Sequence, residues 1–342
     1  MIGGDAARRG LGCLVGLAAL VAAPALADDA ARAWLASMHE ALETQNYQGE
    51  FLHLADGRIE KLRIFHRVKD GRVAERLVNL SGNGREIVRH DAELMCYLPK
   101  DRTVLVESQA TPGTLLGTLP RFEASLEANY RLELGDRVMV IGRPTQQLAV
   151  NPRDGYRFGY RLWIDEESRI PVRTDLCDAD GRVLEQVLFT ALKVGVALPD
   201  AAFRPDVDAS AFTRVRQAGR AESTPAEELP WRLVQLPPGF RVSAAGEQQL
   251  AGSEQPVTHL VLSDGLASVS VFIEGPPTPP RQPTVGEGRV GSAFAYSKVI
   301  AGHQVTAVGE VPPQTVEFIA SGVAPAKPRR LGFGSGAPVP PP

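Results

Sequence analysis

Residues His259 to Glu274 read HLVLSDGLASVSVFIE, and the second half of the stretch alternates strictly. Val269, Val271 and Ile273 fall on one face of an extended chain, with Ser268, Ser270 and Glu274 on the other, the period-two pattern of a half-buried strand. Asp264-Gly265 separates this run from the apolar run before it. The dipeptide tolerates positive φ and so predicts a two-residue hairpin turn. The stretch therefore reads as an antiparallel hairpin with one buried face and one exposed polar face.

Working outward, a 342-residue chain with 44% apolar residues has material for two domains. Its 27 prolines and 33 glycines are spread through the chain, which favours many short strands over a helical bundle. A formal charge of −3 gives no basic stripe and argues against nucleic acid as a partner. Arg8-Arg9, the apolar run Leu11–Ala23 and the small residues Ala25-Leu26-Ala27 have the three-part form of a signal peptide, residues 1–27, with cleavage predicted after Ala27. The apolar run is short of the ~20 residues that span a bilayer. A soluble, exported protein is the expectation. Of three cysteines, Cys13 leaves with the leader, and Cys96 and Cys177 stay as either a disulfide or two buried thiols.

The chain from residue 28 opens with an amphipathic helix, Asp28 to Asn46, whose Trp34, Leu35, Met38 and Leu42 share a face. Runs of alternating residues follow, punctuated by Asp56-Gly57, Asp70-Gly71 and Ser81-Gly82-Asn83-Gly84, which describes an antiparallel meander. A short helix is expected over Pro120–Asn129, with Phe122 and Leu126 inward, and then more strands to Leu192. About eleven strands are predicted in all by this reading. A sheet of that size twists and curls, so the fold class is mainly β (α+β). A large curved antiparallel sheet, a half-barrel with helices on its concave face, fills residues 28–206. A smaller C-terminal α+β domain occupies 230–325. Residues 207–229 lose periodicity and read as a linker, and 326–342 as a Pro/Gly-rich disordered tail. Within the small domain, a strand pair is expected near Trp231–Leu236 and Phe240–Ala244, and a closing helix from Pro312-Pro313.

Catalytic patterns are missing. His39-Glu40 lacks the second histidine of a zinc protease, and neither a GxSxG elbow nor a Walker loop occurs. Gly286-Glu-Gly-Arg-Val-Gly291 satisfies GxGxxG but follows prolines and leads into a strand, the wrong context for a dinucleotide. No catalytic residue, metal or cofactor is assigned, and an enzyme is not expected.

Several blocks together resemble the MucB/RseB family: NYQGEF (Asn46–Phe51), RIFHRVKDG with the following ERL, VNPRDGYRFGYRLWID (Val150–Asp165), LEQVLF (Leu184–Phe189), Leu236-Pro-Pro-Gly-Phe240, SDGLASVSVFIE and VTAVGEVPPQTVEFIA (Val305–Ala320). The resemblance runs in order over nearly all of 28–325. It implies a periplasmic negative regulator of the sigma-E (AlgU) envelope-stress response, with a large domain like the carriers LolA and LolB. The implied partners are the periplasmic domain of a single-span anti-sigma factor, RseA/MucA-like, which is shielded from proteolysis; lipid or lipopolysaccharide acyl chains, which release it; and further copies of the chain in a homo-oligomer. On this reading the partner surface is the hairpin, Ser263, Asp264, Gly265, Leu266, Ser268 and Ser270, unless the hairpin is only structural. The lipid cavity would be lined by Trp34, Met38, Leu62, Ile64, Phe122 and Leu126, a set that also describes a closed core. The competing readings are a LolA/LolB-like lipid or lipoprotein carrier, a periplasmic enzyme and a structural envelope protein.

Overall fold

A computed structural model describes residues 23–82, 84–108, 115, 126–217, 229–248, 255–276 and 284–326. Two Asp-Gly pairs turn the chain back on itself with both residues at positive φ: 52° and 71° at Asp56-Gly57, 52° and 75° at Asp70-Gly71. That is the geometry of hairpin turns whose twist matches their strands. After helix α1 (Ala23–Thr44), these turns join β1 (Tyr47–Ala55), β2 (Arg58–Lys69) and β3 (Arg72–Asn79), and the meander continues through β4 (Glu86–His90), β5 (Glu93–Leu98) and β6 (Thr103–Ser108). A short helix, α2 (Leu126–Asn129), leads into a second meander: β7 (Tyr130–Val140), β8 (Arg143–Pro152), β9 (Gly159–Asp165), β10 (Pro171–Cys177) and β11 (Val183–Val194). The two meanders meet where β11 pairs with β1, and β12 (Thr213–Gln217) adds parallel to β6. The result among the described residues is one 12-stranded sheet in the order β12-β6-β5-β4-β3-β2-β1-β11-β10-β9-β8-β7. The eleven strands complete by Val194 agree with the reading of the sequence.

The core sits under α1. Ala31, Leu35, Met38 and Leu42 recur at helical spacing and are at most 2% exposed. They pack with Phe51, Leu62 and Ile64 from one half of the sheet and Leu148 and Leu162 from the other. The helix touches β2 as well as β7 and β8, so the sheet curls around it. The opposite face of the sheet is covered too. Leu198 and Phe203 cover Ala74 and Phe65, while Val207, Ala209 and Phe212 cover Val88, Tyr97, Val104 and Val106. Residues 207–217 are therefore part of the large sheet, and the linker expected from 207 cannot begin there: composition hid three apolar anchors and a five-residue strand. Residues 218–228 lie outside the described residues, as do 1–22 and 327–342, where most of the leader and tail were expected. α1 begins at Ala23, ahead of the expected mature start at Asp28.

The smaller unit is a six-stranded antiparallel sheet in the order β14-β15-β16-β19-β18-β17, formed by β14 (Arg241–Gln248), β15 (Val257–Ser263), β16 (Ser268–Glu274), β17 (Gly286–Val290), β18 (Ala293–Ile300) and β19 (His303–Gly309). Strand β13 (Trp231–Leu233) pairs with β20 (Val323–Pro325), at the far end of the unit. It does not pair with Phe240–Ala244 as expected, because Pro237-Pro238 breaks the run and lacks two amide donors. Helix α3 (Pro313–Ser321) starts at its proline and lays Val316, Ile319 and Ala320, all at 0% exposure, against the sheet. Val269, Val271 and Ile273 are at most 2% exposed, so the alternation of the quoted stretch holds. Gly286–Gly291 forms an edge strand and its turn, not a phosphate loop. Among the described residues no helix is long and apolar enough to cross a membrane.

Cys96 and Cys177 are both free thiols. They stand on β5 and β10, six places apart in the sheet, or roughly 29 Å along it at ~4.8 Å per strand. A disulfide needs Cα atoms within about 7 Å, so of the two sequence-level alternatives the structure has two thiols. Burial pushes both thiols above their usual range, which leaves little reactive thiolate.

The β1–β11 seam depends on Gly49. A Cβ there would lie 2.6 Å from the Ala191 carbonyl oxygen and 2.6 Å from the Phe189 ring. Gly49→Ala should lower unfolding free energy by about 1–3 kcal/mol. Gly288→Ala, whose added carbon meets only Ala295 Cβ at 3.8 Å, should stay within about 0.5 kcal/mol of the parent. Urea unfolding of the two variants checks both values.

Candidate functional site: the junction between the sheets

The tip of the quoted hairpin is wider than a two-residue turn. β15 ends at Ser263 and β16 starts at Ser268, leaving a four-residue loop. Only Gly265 in it has positive φ, 102°. Asp264 closes the loop with its side chain: Oδ1 accepts from the Leu266 amide at 2.9 Å and the Ala267 amide at 2.7 Å, the local Asx pattern that competes with a tight turn. Ser263 Oγ donates to the Ala267 carbonyl at 3.0 Å and accepts from the Gly265 amide at 3.0 Å.

The second carboxylate oxygen of Asp264 leaves the small sheet altogether. Oδ2 accepts from Arg157 Nε at 2.5 Å and from the Tyr130 hydroxyl at 3.0 Å, both in the large unit. Arg157 lies in the β8–β9 connection. Its other guanidinium nitrogens donate to the Asp154 carboxylate and to the Pro238 carbonyl. The guanidinium carbon lies 5.1 Å from the centre of the Phe240 ring. Both charged side chains are fully buried, where a lone ion would be costly and a hydrogen-bonded pair is tolerable. Burial alone would lower the Arg157 pKa, but its bonds to Asp264 and Asp154 raise it. Burial, then the neighbouring Asp264 charge, push the Tyr130 phenol far up, so it acts as a neutral donor.

Around this pair the two units fit closely. Gly239, at φ +79°, leaves room for the Asn129 side chain, which a Cβ would meet at 2.2 Å. Leu266 packs against the core of the large unit. At the start of α3, Gln314 Nε2 donates to the Gly155 carbonyl at 2.7 Å and Thr315 Oγ1 to the Tyr156 carbonyl at 3.0 Å. Beside these bonds opens a cavity of about 620 Å³, lined by Gly155 and Tyr156 from the large unit and Gln235, Gln314, Glu317, Phe318 and Ser321 from the small one. The Tyr156 and Phe318 rings form one wall, with centroids 5.5 Å apart.

The residues expected at the hairpin surface divide accordingly. Asp264 is fully buried, Ser263, Gly265, Leu266 and Ser270 are half-buried, and Ser268 is exposed. The expected exposed polar face is thus corrected: the tip is a plug between the two sheets, because the acid that seemed to favour a solvent turn has a buried arginine to bind. Arg157, Tyr130 and Asp154 were not singled out from the sequence. An arginine between aromatics in Tyr156-Arg157-Phe158 was the available signal.

The residues expected to line a cavity also fall in two groups. Met38, Leu62, Ile64 and Leu126 are 5% exposed or less and belong to the closed core, with Trp34 packed against it. Phe122 lies outside the described residues. Farther along the same face the cover thins. The register places Ile64, Leu77, Ile87, Cys96 and Leu105 in one row across β2 to β6. All but Ile64 are only half-buried. This apolar row, legible only once the register is known, is a half-buried part of the curved face among the described residues.

Two family models match the chain: the MucB/RseB N-terminal domain over residues 30–207 and the MucB/RseB C-terminal domain over 225–324. The Sigma factor AlgU regulatory protein MucB of Pseudomonas aeruginosa is 34% identical over 317 residues, covering 90% of this chain and 95% of that protein. The Sigma-E factor regulatory protein RseB of Escherichia coli K12 is 28% identical over 313 residues, covering 89% and 93%. The crystal structure of MucB in complex with MucA(peri) superposes with a TM-score of 0.67 at 30% identity, covering 87% of this chain and 99% of that one.

Asp264→Asn would leave the buried Arg157 charge with Asp154 but without its fully buried anion, and should cost about 3–5 kcal/mol in urea unfolding. Adding Arg157→Met removes the under-balanced buried charge and should recover part of that loss. Simple additivity of the two substitutions would refute the coupling of the pair.

Proposed function

Since the chain belongs to the MucB/RseB family, we propose that it is a periplasmic regulator. It is exported with cleavage after Ala27. It binds the periplasmic domain of a membrane-spanning anti-sigma factor of the MucA/RseA kind and shields that partner from regulated proteolysis. The observation that carries this reading is end-to-end kinship with MucB, at 34% identity, together with likeness to MucB held in complex with MucA(peri). It acts by binding and not by catalysis.

The junction suits that role. A partner segment seated in the cavity beside Tyr156 and Phe318 would touch both units at once, so its affinity would depend on how the units are set. Asp264 and Leu266 of the hairpin then act by fixing that setting, and Ser268, the exposed one of the six, is free to meet the partner directly. Lipid enters the reading as the release signal. Acyl chains of lipid or lipopolysaccharide would lie along Leu77, Ile87, Cys96 and Leu105. They would release the partner only if they bind one setting of the junction better than the other. A lipid carrier without a protein partner is the second reading, favoured by the same half-buried row.

Titrating the full chain with the periplasmic segment of its MucA/RseA-like anti-sigma factor should give saturable binding. Phe318→Ala should weaken it about 10- to 30-fold, as truncating an aromatic anchor does. Added lipopolysaccharide should lower the affinity, and Leu105→Gln should blunt that response. Binding of lipopolysaccharide with no binding of the segment would favour the carrier.

A further inference from the structure

A second polar cluster bridges the two sheets. Ser292, in the turn between β17 and β18, is 5% exposed. Its Oγ lies 2.6 Å from Glu185 Oε2 on β11 and 2.6 Å from Glu310 Oε1, just beyond β19. Glu185 Oε1 is in turn 2.8 Å from His53 Nε2 on β1. A serine hydroxyl has one proton to donate, and an ionised carboxylate has none. The hydroxyl can satisfy one of the two carboxylates as a donor. The other short contact is a hydrogen bond only if that carboxyl carries a proton and the serine oxygen accepts it.

The surroundings decide which carboxyl is the acid. Glu185 has a second donor in the His53 ring, and although burial would raise its pKa, the bonds from His53 and Ser292 hold it below the usual range. Burial, the largest effect, holds Glu310 above it; the bond from Ser292 and the His53 charge oppose the rise, and the nearby Glu185 charge adds to it. The bond to Glu185 raises His53. The other groups facing the cluster are Glu60, opposite His53 on β2, and Tyr160 on β9, with Asp264 beyond it. At the rim Arg289 stands 4.0 Å from Asp56. Apart from His53 and that rim arginine, the cluster faces acids and a phenol, so a second negative charge has little to balance it.

We propose that a single proton latches the two sheets together: Glu310 in its acid form donates to Ser292, Ser292 donates to Glu185, and release of that proton to solvent as pH rises sets two carboxylates against each other and loosens the small sheet from the large one. The sign follows from linkage. Glu310 and His53 both hold their protons more tightly in the folded chain than in the unfolded one. The stability they contribute is present at low pH and is lost as pH rises through their folded values. This latch rests on the geometry of the junction and not on the partner reading, so either can fail alone.

Thermal unfolding of the full chain between about pH 5.5 and about pH 8.5 tests it. Glu310→Gln keeps a donor toward Ser292 but cannot ionise. Between those limits the parent should lose roughly 2–4 °C more of its Tm than this variant does. Glu287→Gln, at an exposed position on β17, should keep the parent's slope. Equal slopes for the parent and Glu310→Gln would overturn the latch. If Glu310→Gln does not fold, carbon-13 titration of the parent's glutamate carboxyls decides. A glutamate midpoint above the ordinary value that moves in Ser292→Ala supports the latch, and no such midpoint refutes it.

Discussion

A guanidinium with no water around it governs how the two halves of this molecule meet. Arg157 is fully buried, and its charge is balanced by acids from two places: Asp154 three residues away, and Asp264 more than a hundred residues along the chain. Without the small unit the guanidinium keeps Asp154 and loses Asp264, its fully buried partner. Pairing a long-range partner with a local one makes the contact between the sheets specific as well as strong, because a shift of the small unit costs the hydrogen bonds of Asp264, Tyr130 and Pro238 together. The Asp264 carboxylate has a second duty inside its own loop, where it holds two amides. The shape of the hairpin tip and the seating of the unit are thus set by one side chain.

Much of the architecture was readable before any coordinates. Alternation in Val269, Val271 and Ile273, the helical stripe Leu35-Met38-Leu42 and the Asp-Gly turns all report local rules that the tertiary structure does not override. Where the reading failed, the deciding information was non-local. Asp264-Gly265 has the same letters as Asp56-Gly57, but only the latter forms a two-residue turn, since the former has a buried cation within reach. Met38, Leu62 and Ile64 could line a cavity or fill a core equally well by pattern, and the helix laid over them made them core. The row Leu77, Ile87, Cys96 and Leu105 is spread over four strands and becomes a row only through the register. Residues 207–217 look like linker by composition, yet Val207, Ala209 and Phe212 cover one side of the sheet and Thr213–Gln217 supplies a strand.

The large sheet is built asymmetrically around its helix. On the concave side α1 seals the part nearest β1, β2, β7 and β8, and the cover thins toward β4, β5 and β6. On the outer side the reverse holds, since the segment after β11 packs against β2 to β6. Among the described residues, the half of the sheet with the thinner inner cover is therefore packed from behind. The junction with the small unit lies toward the other half, at the β8–β9 connection and the ends of β1 and β11.

The pairing of β1 with β11 also orders the events by which the molecule is made. A chain emerges N-terminus first, and β1 is among the earliest strands to appear. One of its edges finds β2 within a few residues, but the other waits for Val183–Val194, which pairs Tyr47 with Val194 and Ala55 with Glu185. Until then the centre of the future sheet is an open edge of unpaired amides and carbonyls, the kind of surface that recruits wrong strands. Closing it requires a long loop to be drawn in, which is slow for topological reasons. Gly49 and the bulge beside it, at the very place where that late strand must dock, thus serve assembly as well as the finished fold. They keep the first strand narrow enough for β11 to slide in against it.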